Sequence, residues 1–290
     1  MNWVTIDQEK CNGCGLCAKR CTRCFTNNDG VITVQADEEC CNLCGHCVAL
    51  CKPSAITHSR MDMNNFPSLG DPISYDPDEF IRFVRQRRSH RGYRNKEVPR
   101  GDLEKLIEIG RYCPTGSNLQ TVQIKVITNP KKIKKLSDLT VEYFMEMINQ
   151  ADNKIKQLTS EGKPIPAELA ARKEFADRYS RLGLAKDLGI DPILHNAPVV
   201  MIFHSPPSPS TPKDDCVIAA QTVVLAAMTM GLGTCYIGLL TNAALNSPAV
   251  QKAMDLPPEN TAHSILVMGY PRLKFHKAVD RKPLTVQWEK

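Results

Sequence analysis

A seven-residue run, Cys11-Asn12-Gly13-Cys14-Gly15-Leu16-Cys17, returns thirty residues later as Cys41-Asn42-Leu43-Cys44-Gly45-His46-Cys47, and each copy is followed by one more cysteine, Cys21 and Cys51. Ten of the thirteen cysteines lie between Cys11 and Cys51. That density suits either a disulfide scaffold or a metal site. The opening residues, Met1 to Lys10, hold no apolar leader core and carry acids. They read as unexported, which places the thiols in a reducing cytoplasm, where clustered cysteines usually mean metal.

The spacing C-x2-C-x2-C-x3-C selects the metal. A cubane needs four converging thiolates; three of them, two residues apart, wrap one side, and the fourth comes from the other copy. Cys11, Cys14, Cys17 and Cys51 are thus expected to hold one [4Fe–4S] cluster, and Cys41, Cys44, Cys47 and Cys21 a second. Structural zinc favours paired Cys-x-x-Cys knuckles a dozen or more residues apart, not triple runs. Gly13, Gly15 and Gly45 would let the backbone approach the sulfurs. His46 is a candidate hydrogen-bond partner for a cluster. Cys24 and Cys40 are surplus: either spare ligands, or small apolar fillers and free thiols. The segment resembles bacterial two-cluster ferredoxins over about fifty residues, with departures: Thr22 follows Cys21 where that family has proline, and Pro53 stands two residues after Cys51.

The rest of the chain reads differently. Residues 1–58 carry five Lys/Arg against six Asp/Glu, a net −1, so residues 59–290 hold +7 of the overall +6. The excess is scattered, with no basic run or aromatic interleaving to suggest nucleic acid. No charge occurs from Cys216 to Gln251, but Gly231-Leu232-Gly233-Thr234 interrupts the apolar stretch. A buried helix, a turn and a buried strand are expected there, with no membrane span. Residues 59–77 read as a linker rich in breakers, and 78–290 as a second domain, with Asp76 or Asp78 capping a helix whose apolar face is Phe80, Ile81, Phe83 and Val84. Further strands are expected at Val31–Val34 (after an Asn28-Asp29-Gly30 turn), Val122–Thr128, Pro198–Phe203, Tyr236–Leu240 and Ser264–Met268, with helices across 131–188 and 216–230. The pattern is α+β with a central sheet.

Four motifs stand out in this domain. Arg87-Arg88-Ser89-His90-Arg91 can surround a phosphate with guanidinium forks, although alone it reads as a solvated basic helix end. Cys113-Pro114-Thr115-Gly116-Ser117-Asn118-Leu119-Gln120 offers hydroxyls and amides able to read a heterocycle. Gly231 to Gly238 supplies a flexible backbone stretch, and Arg281-Lys282-Pro283-Leu284 a basic end. In order and spacing the set resembles the nitroreductase family over residues 80–130 and 195–290. The resemblance implies an α+β homodimer with FMN at the subunit interface. It implies Arg87, Arg88, Ser89 and Arg91, with Arg281, at the FMN phosphate, and Pro114, Thr115, Gly116 and Asn118 contributed by the partner subunit. Cys235, Tyr236, Ile237 and Gly238 would run beside the flavin ring, with an N–H near N5. Val279 stands where the family often has a second basic residue, and His195 reads as a helix-end residue.

Together the motifs imply a ferredoxin-type 2[4Fe–4S] module fused to a nitroreductase-like FMN domain. Two clusters would pass single electrons to FMN, which would reduce a nitroaromatic, quinone or other small conjugated acceptor. The electron donor stays open between reduced ferredoxin and NAD(P)H. The rival readings are an NAD(P)H-dependent nitroreductase with accessory clusters, and a non-catalytic redox sensor or carrier.

Overall fold

The computed structural model describes residues 3–35, 37–208 and 210–289; Met1 and Asn2, which open the segment read as leaderless, lie outside it, as does Lys290. The chain forms two compact units, one reaching to Tyr75 and including Ser117–Leu119, the other holding Asp76–Gly116 and Gln120 onward.

The first unit is built of short elements: β1 (Val4–Ile6), α1 (Leu16–Arg20), β2 (Phe25–Asn28), β3 (Val31–Val34), a 3-10 turn (Glu38–Cys40), α2 (His46–Ala49) and β4 (Ile56–His58). β1 pairs antiparallel with β4 and β2 with β3. The β2–β3 turn is made by Asp29 and Gly30, both at positive φ (50° and 89°), the geometry that matches the twist of a hairpin. The repeat is visible in the backbone. Gly15 and Gly45 precede α1 and α2 at φ 69° and 71°, and Gly13 (φ 67°) is matched by Leu43 (φ 57°). A Cβ at Gly13 would lie 2.9 Å from the Gly30 carbonyl oxygen, so the first copy needs glycine there. Residues 59–77, expected as a structureless linker, contain a 3-10 turn at Met63–Asn65 capped by Asp62.

In the second unit, α3 (Pro77–Gln86) is capped by the Asp76 carboxylate, which accepts from the N–H groups of Asp78 and Glu79, with Pro77 in the first turn. Next come α4 (Arg100–Arg111), β5 (Gln123–Ile127), α5 (Pro130–Ser160), α6 (Ala167–Asp177), α7 (Leu182–Asp187), β6 (Val199–Ser205), α8 (Pro212–Thr229), β7 (Gly233–Tyr236), α9 (Gly238–Asn246), α10 (Pro248–Met254) and β8 (Thr261–Gly269). The sheet runs β5-β6-β8-β7, antiparallel throughout.

Every residue of β6 is buried because helices cover both faces. Val199, Met201 and Phe203 pack with α4 and α8, while Val200 and Ile202 pack with α5, α9 and α10. β8 divides the same way: Leu266 and Met268 go to the first face, Ile265 and Val267 to the second. This two-sided burial explains the unbroken apolar run from Val199 to Phe203. Among the described residues no helix is long and apolar enough to cross a membrane.

One sequence expectation fails here. The strand expected at Tyr236–Leu240 ends at Tyr236, and Gly238 starts α9; an apolar run of this length does not separate a strand from a buried helix. The apolar face of α3 is not packed within the chain, with Phe80 and Ile81 about half exposed.

Candidate functional site

In the first unit, Cys11, Cys14, Cys17 and Cys51 line one small pocket, together with Cys47, Ile6, Ile32 and Ile56. These are the four thiols that the spacing assigned to one cluster. Burial pushes the Cys17 thiol up, and its neighbours Cys11 and Cys14 add to the shift. Burial likewise pushes Cys47 up to about 11, with Cys41, Cys44 and Cys21 as its thiol neighbours. Cys47 also lines the pocket of the first set. Among the described residues no three of His, Cys, Asp or Glu converge tightly enough to hold a single bare ion.

Cys24 and Cys40 depart from the expectation of fillers or free thiols: they pair as a disulfide, Cα–Cα 5.8 Å, that joins the start of β2 to the turn before Cys41. His46 is exposed on α2. The imidazole that meets a thiol is that of His58, whose Nε2 lies 3.5 Å from Cys41 Sγ. Its sequence position, seven residues beyond Cys51, gave no sign of this, because the β1–β4 pairing is what brings it back.

In the second unit, the arginine segment and the backbone stretch at β7 come together. Ser89 forms a parallel bridge to Thr234, and the His90 N–H donates to the Thr234 carbonyl oxygen (2.9 Å), so residues 89–90 run along the free edge of β7. The close approach requires glycine at position 233, where a Cβ would lie 2.7 Å from the His90 ring and from Pro271. Arg87 follows the end of α3. The Arg88 guanidinium lies over the Phe275 ring (5.6 Å), yet its Nε is buried without a partner. An orphaned guanidinium N–H is a donor awaiting an anion. The arginines that pair with carboxylates are Arg82, Arg100, Arg111 and Arg178; Arg87, Arg88 and Arg91 form no ion pair among the described residues. Burial raises the Cys235 thiol, opposed by the Arg91 charge, a hydrogen bond from Ser89, and Arg87. Cys235 is thus a buried thiol under the arginine segment.

Along 235–238 the chain alternates: Cys235 and Ile237 are buried, Tyr236 and Gly238 exposed. The Ile237 N–H is spent on the Ile265 carbonyl (2.9 Å). The available donor here is the N–H of Gly238, at the first position of α9, where no i−4 carbonyl exists. The Tyr236 hydroxyl bonds to Gln221 Oε1 (3.2 Å).

The loop holding Pro114, Thr115 and Gly116 is fixed by a residue the sequence did not flag. Asp215 is 3% exposed, and its Oδ1 accepts from the Gly116 N–H (3.0 Å) and the Thr211 hydroxyl (2.9 Å). Thr115 Oγ1 accepts from the Gln120 N–H (3.0 Å). Ser117, Asn118 and Gln120 all have positive φ (52°, 57° and 52°), a concentration of left-handed residues typical of functional loops. Asn118 groups with the first unit rather than with Pro114, Thr115 and Gly116. Among the described residues no hydrogen bond joins this loop, or Arg281, to the arginine segment; Arg281 sits exposed in the extended C-terminal stretch, its N–H bonded to the Asp280 carboxylate. His195 lies not at a helix end but in the loop before β6, at φ 58°, where Asp191 accepts from the N–H groups of Ile193, Leu194 and Asn196.

An antiparallel sheet sandwiched between helices, with an arginine and hydroxyl segment locked onto its edge strand, defines an α+β body with an anion-binding edge. The chain belongs to the nitroreductase family, whose sequence profile matches residues 84–270. A 4Fe-4S binding domain profile matches residues 4–23. Similar proteins include 4-nitrobenzoate reductase of Nocardioides sp. (strain LMS-CY), 27% identical over 67% of this chain and 81% of that protein. Nitroreductase NfnB of Mycolicibacterium smegmatis is 25% identical over 55% of this chain and 70% of its own length. Among solved structures, the fold is shared with a nitroreductase with bound FMN from Bacteroides fragilis (TM-score 0.53, 21% identity, 72% of this chain and 99% of that one).

Proposed function

We propose that this chain is an FMN-dependent oxidoreductase fed by two [4Fe–4S] clusters, reducing a small conjugated acceptor such as a nitroaromatic or quinone. The clusters would be held by Cys11, Cys14, Cys17 and Cys51, and by Cys21, Cys41, Cys44 and Cys47. Bound FMN supplies the exchange between one-electron and two-electron chemistry. Arg87, Arg88 and Ser89 would bind its phosphate and Arg91 would add positive charge beside Cys235. The Gly238 N–H would donate to the ring and stabilise negative charge there. The observation that carries the reading is the docking of Ser89 on Thr234, which aligns the unpaired arginines with the 235–238 backbone. Among the described residues no hydrogen bond joins Pro114, Thr115, Gly116 or Arg281 to the arginine segment, and we read these residues as the contribution of a second copy. The exposed apolar residues of α3, with Leu284 and Trp288, are the surface a homodimer would cover.

The test is anaerobic purification with iron and flavin counting, followed by stopped-flow reduction. About eight iron atoms and one FMN per chain are expected, with cluster reduction preceding flavin bleaching. Turnover with reduced ferredoxin, NADH and NADPH identifies the donor. Cluster reduction with no later flavin bleaching overturns the electron path, and a colourless protein overturns the whole reading.

A further inference from the structure

His58 ends β4 and is 2% exposed. Its ring is held from several directions. The Arg60 N–H donates to Nδ1 (3.1 Å), Trp3 meets the ring edge-on with centroids 5.4 Å apart, and the β1–β4 ladder sets Val4 opposite His58. A ring nitrogen that accepts a hydrogen bond cannot carry the proton of a neutral imidazole. The proton is therefore on Nε2, which points at Cys41 Sγ from 3.5 Å. The backbone has fixed the tautomer, and the tautomer makes the imidazole a donor to sulfur.

The two thiol sets are unequal in this respect. Cys41 Sγ receives the His58 Nε2–H and the Leu43 N–H (3.4 Å), whereas the other set receives the Ala55 N–H at Cys51 Sγ (3.2 Å). The repeat offers no counterpart of His58: thirty residues earlier stands Asn28, at the β2–β3 turn. Resting on the two-cluster reading above, we infer that His58 is a positioning residue that raises the reduction potential of the cluster bound by Cys21, Cys41, Cys44 and Cys47 above that of its neighbour. A donor to a ligating sulfur stabilises the more electron-rich, reduced form. Electrons entering the module settle on this cluster, and the one bound by Cys11, Cys14, Cys17 and Cys51 is the stronger reductant. Each cluster takes one electron, no bond is made or broken, and the proton stays on Nε2.

The experiment is a potentiometric titration of the anaerobic full-length protein with dithionite, followed by electron paramagnetic resonance, for wild type, His58→Phe and His58→Gln. Wild type should show two midpoints. In His58→Phe the higher one should fall so that, at a fixed ambient potential, the reduced-to-oxidised ratio of that cluster drops about tenfold, or about 59 mV for a one-electron couple. The lower one should stay in place. His58→Gln, which keeps an N–H donor, should recover part of the shift, which a merely structural role would not produce. Eight iron atoms with both midpoints unmoved in His58→Phe overturns the role of His58, as does an equal fall of both. Four iron atoms in wild type overturns the two-cluster reading instead. If His58→Phe loses iron, the decision passes to His58→Gln, whose upper midpoint should fall by less than about 59 mV; an unchanged value there overturns the inference.

Discussion

The two units solve the problem of stability in opposite ways. Among the described residues, the first buries seven hydrophobic residues in one cluster, from Trp3 to Ile56, and around them stand the partly buried cysteines. The second buries nineteen such residues on one face of its sheet and fifteen on the other. A module of about sixty residues with so few apolar side chains cannot offset its chain entropy by burial alone and needs cross-links or metal. The large body needs neither. In the first unit the groups that perform the chemistry are also those that complete the fold; in the second, the site is laid along the edge of a core that exists without it.

Stripping the iron breaks this comparison most directly. With a chelator and reductant present, residues 3–58 should lose most of their amide protection, while the strands of the second unit keep theirs, as read by hydrogen exchange. Retained protection in the first unit would show that the small core suffices without metal or disulfide. The converse perturbation is Phe203→Ala. Phe203 is fully buried between β8, α4 and α8, so truncation should cost about 3–5 kcal/mol. The denaturant midpoint of the body should fall, and iron content should not change.

Two substitutions then sharpen the contrast inside the second unit between core and site. Asp215→Ala removes the acceptor of the Gly116 N–H and of the Thr211 hydroxyl, at about 1 kcal/mol for each hydrogen bond lost; Asp215→Asn keeps an acceptor and should cost less. Thermal denaturation measures the loss, and proteolysis near Gly116 reports the freed loop. Arg88→Ala should cost the body little stability, because its Nε has no partner and only the guanidinium's contact with the Phe275 ring is lost, yet weaken FMN binding about tenfold by removing a charge-assisted contact. Fluorescence titration of the flavin reads this effect, and unchanged affinity would remove Arg88 from the site.

Most of what was legible in the sequence was local. The thiol sets follow from spacing, and the structure gathers Cys11, Cys14, Cys17 and Cys51 around one small pocket. The long helices and the buried strands β6 and β8 follow from length and apolar runs. The three-residue strands β1 and β4 are too short to show alternation, and because they were not visible, neither was His58, which their pairing carries back to Cys41. Asp215 escaped for a similar reason. Its partners lie 99 residues away and four residues away, and an acid at the start of a helix looks like ordinary macrodipole pairing until the fold buries it. The arginine segment was readable as a motif, but only the Ser89–Thr234 bridge turns a basic helix end into the wall of a site.

The smallest expected effect concerns acid. In the second unit, burial lowers the pKa of His90, His195, His204 and His263 from 6.5; nearby cations assist, from Arg88 and Arg87 at His90, from Lys125 at His204 and from Lys213 at His263, while at His195 Asp191 opposes and Arg91 assists. A histidine whose folded pKa lies below its unfolded value binds protons more readily when unfolded. Its contribution is complete above pH 6.5 and is lost as the pH falls through 6.5 and on through the folded value. If the first unit holds the proposed clusters, its acid response should follow cluster loss instead. The melting temperature of the iron-free second unit should therefore be flat between pH 8 and 7 and decline toward pH 5. His204 accounts for part of the slope, because protonation would break the contact of its Nδ1 with the Asn260 amide (2.7 Å). His204→Gln, which does not titrate and can keep an acceptor for Asn260, should flatten the decline. A melting temperature that rises on acidification would mean that carboxylate protonation governs the body, and the histidines would lose this role.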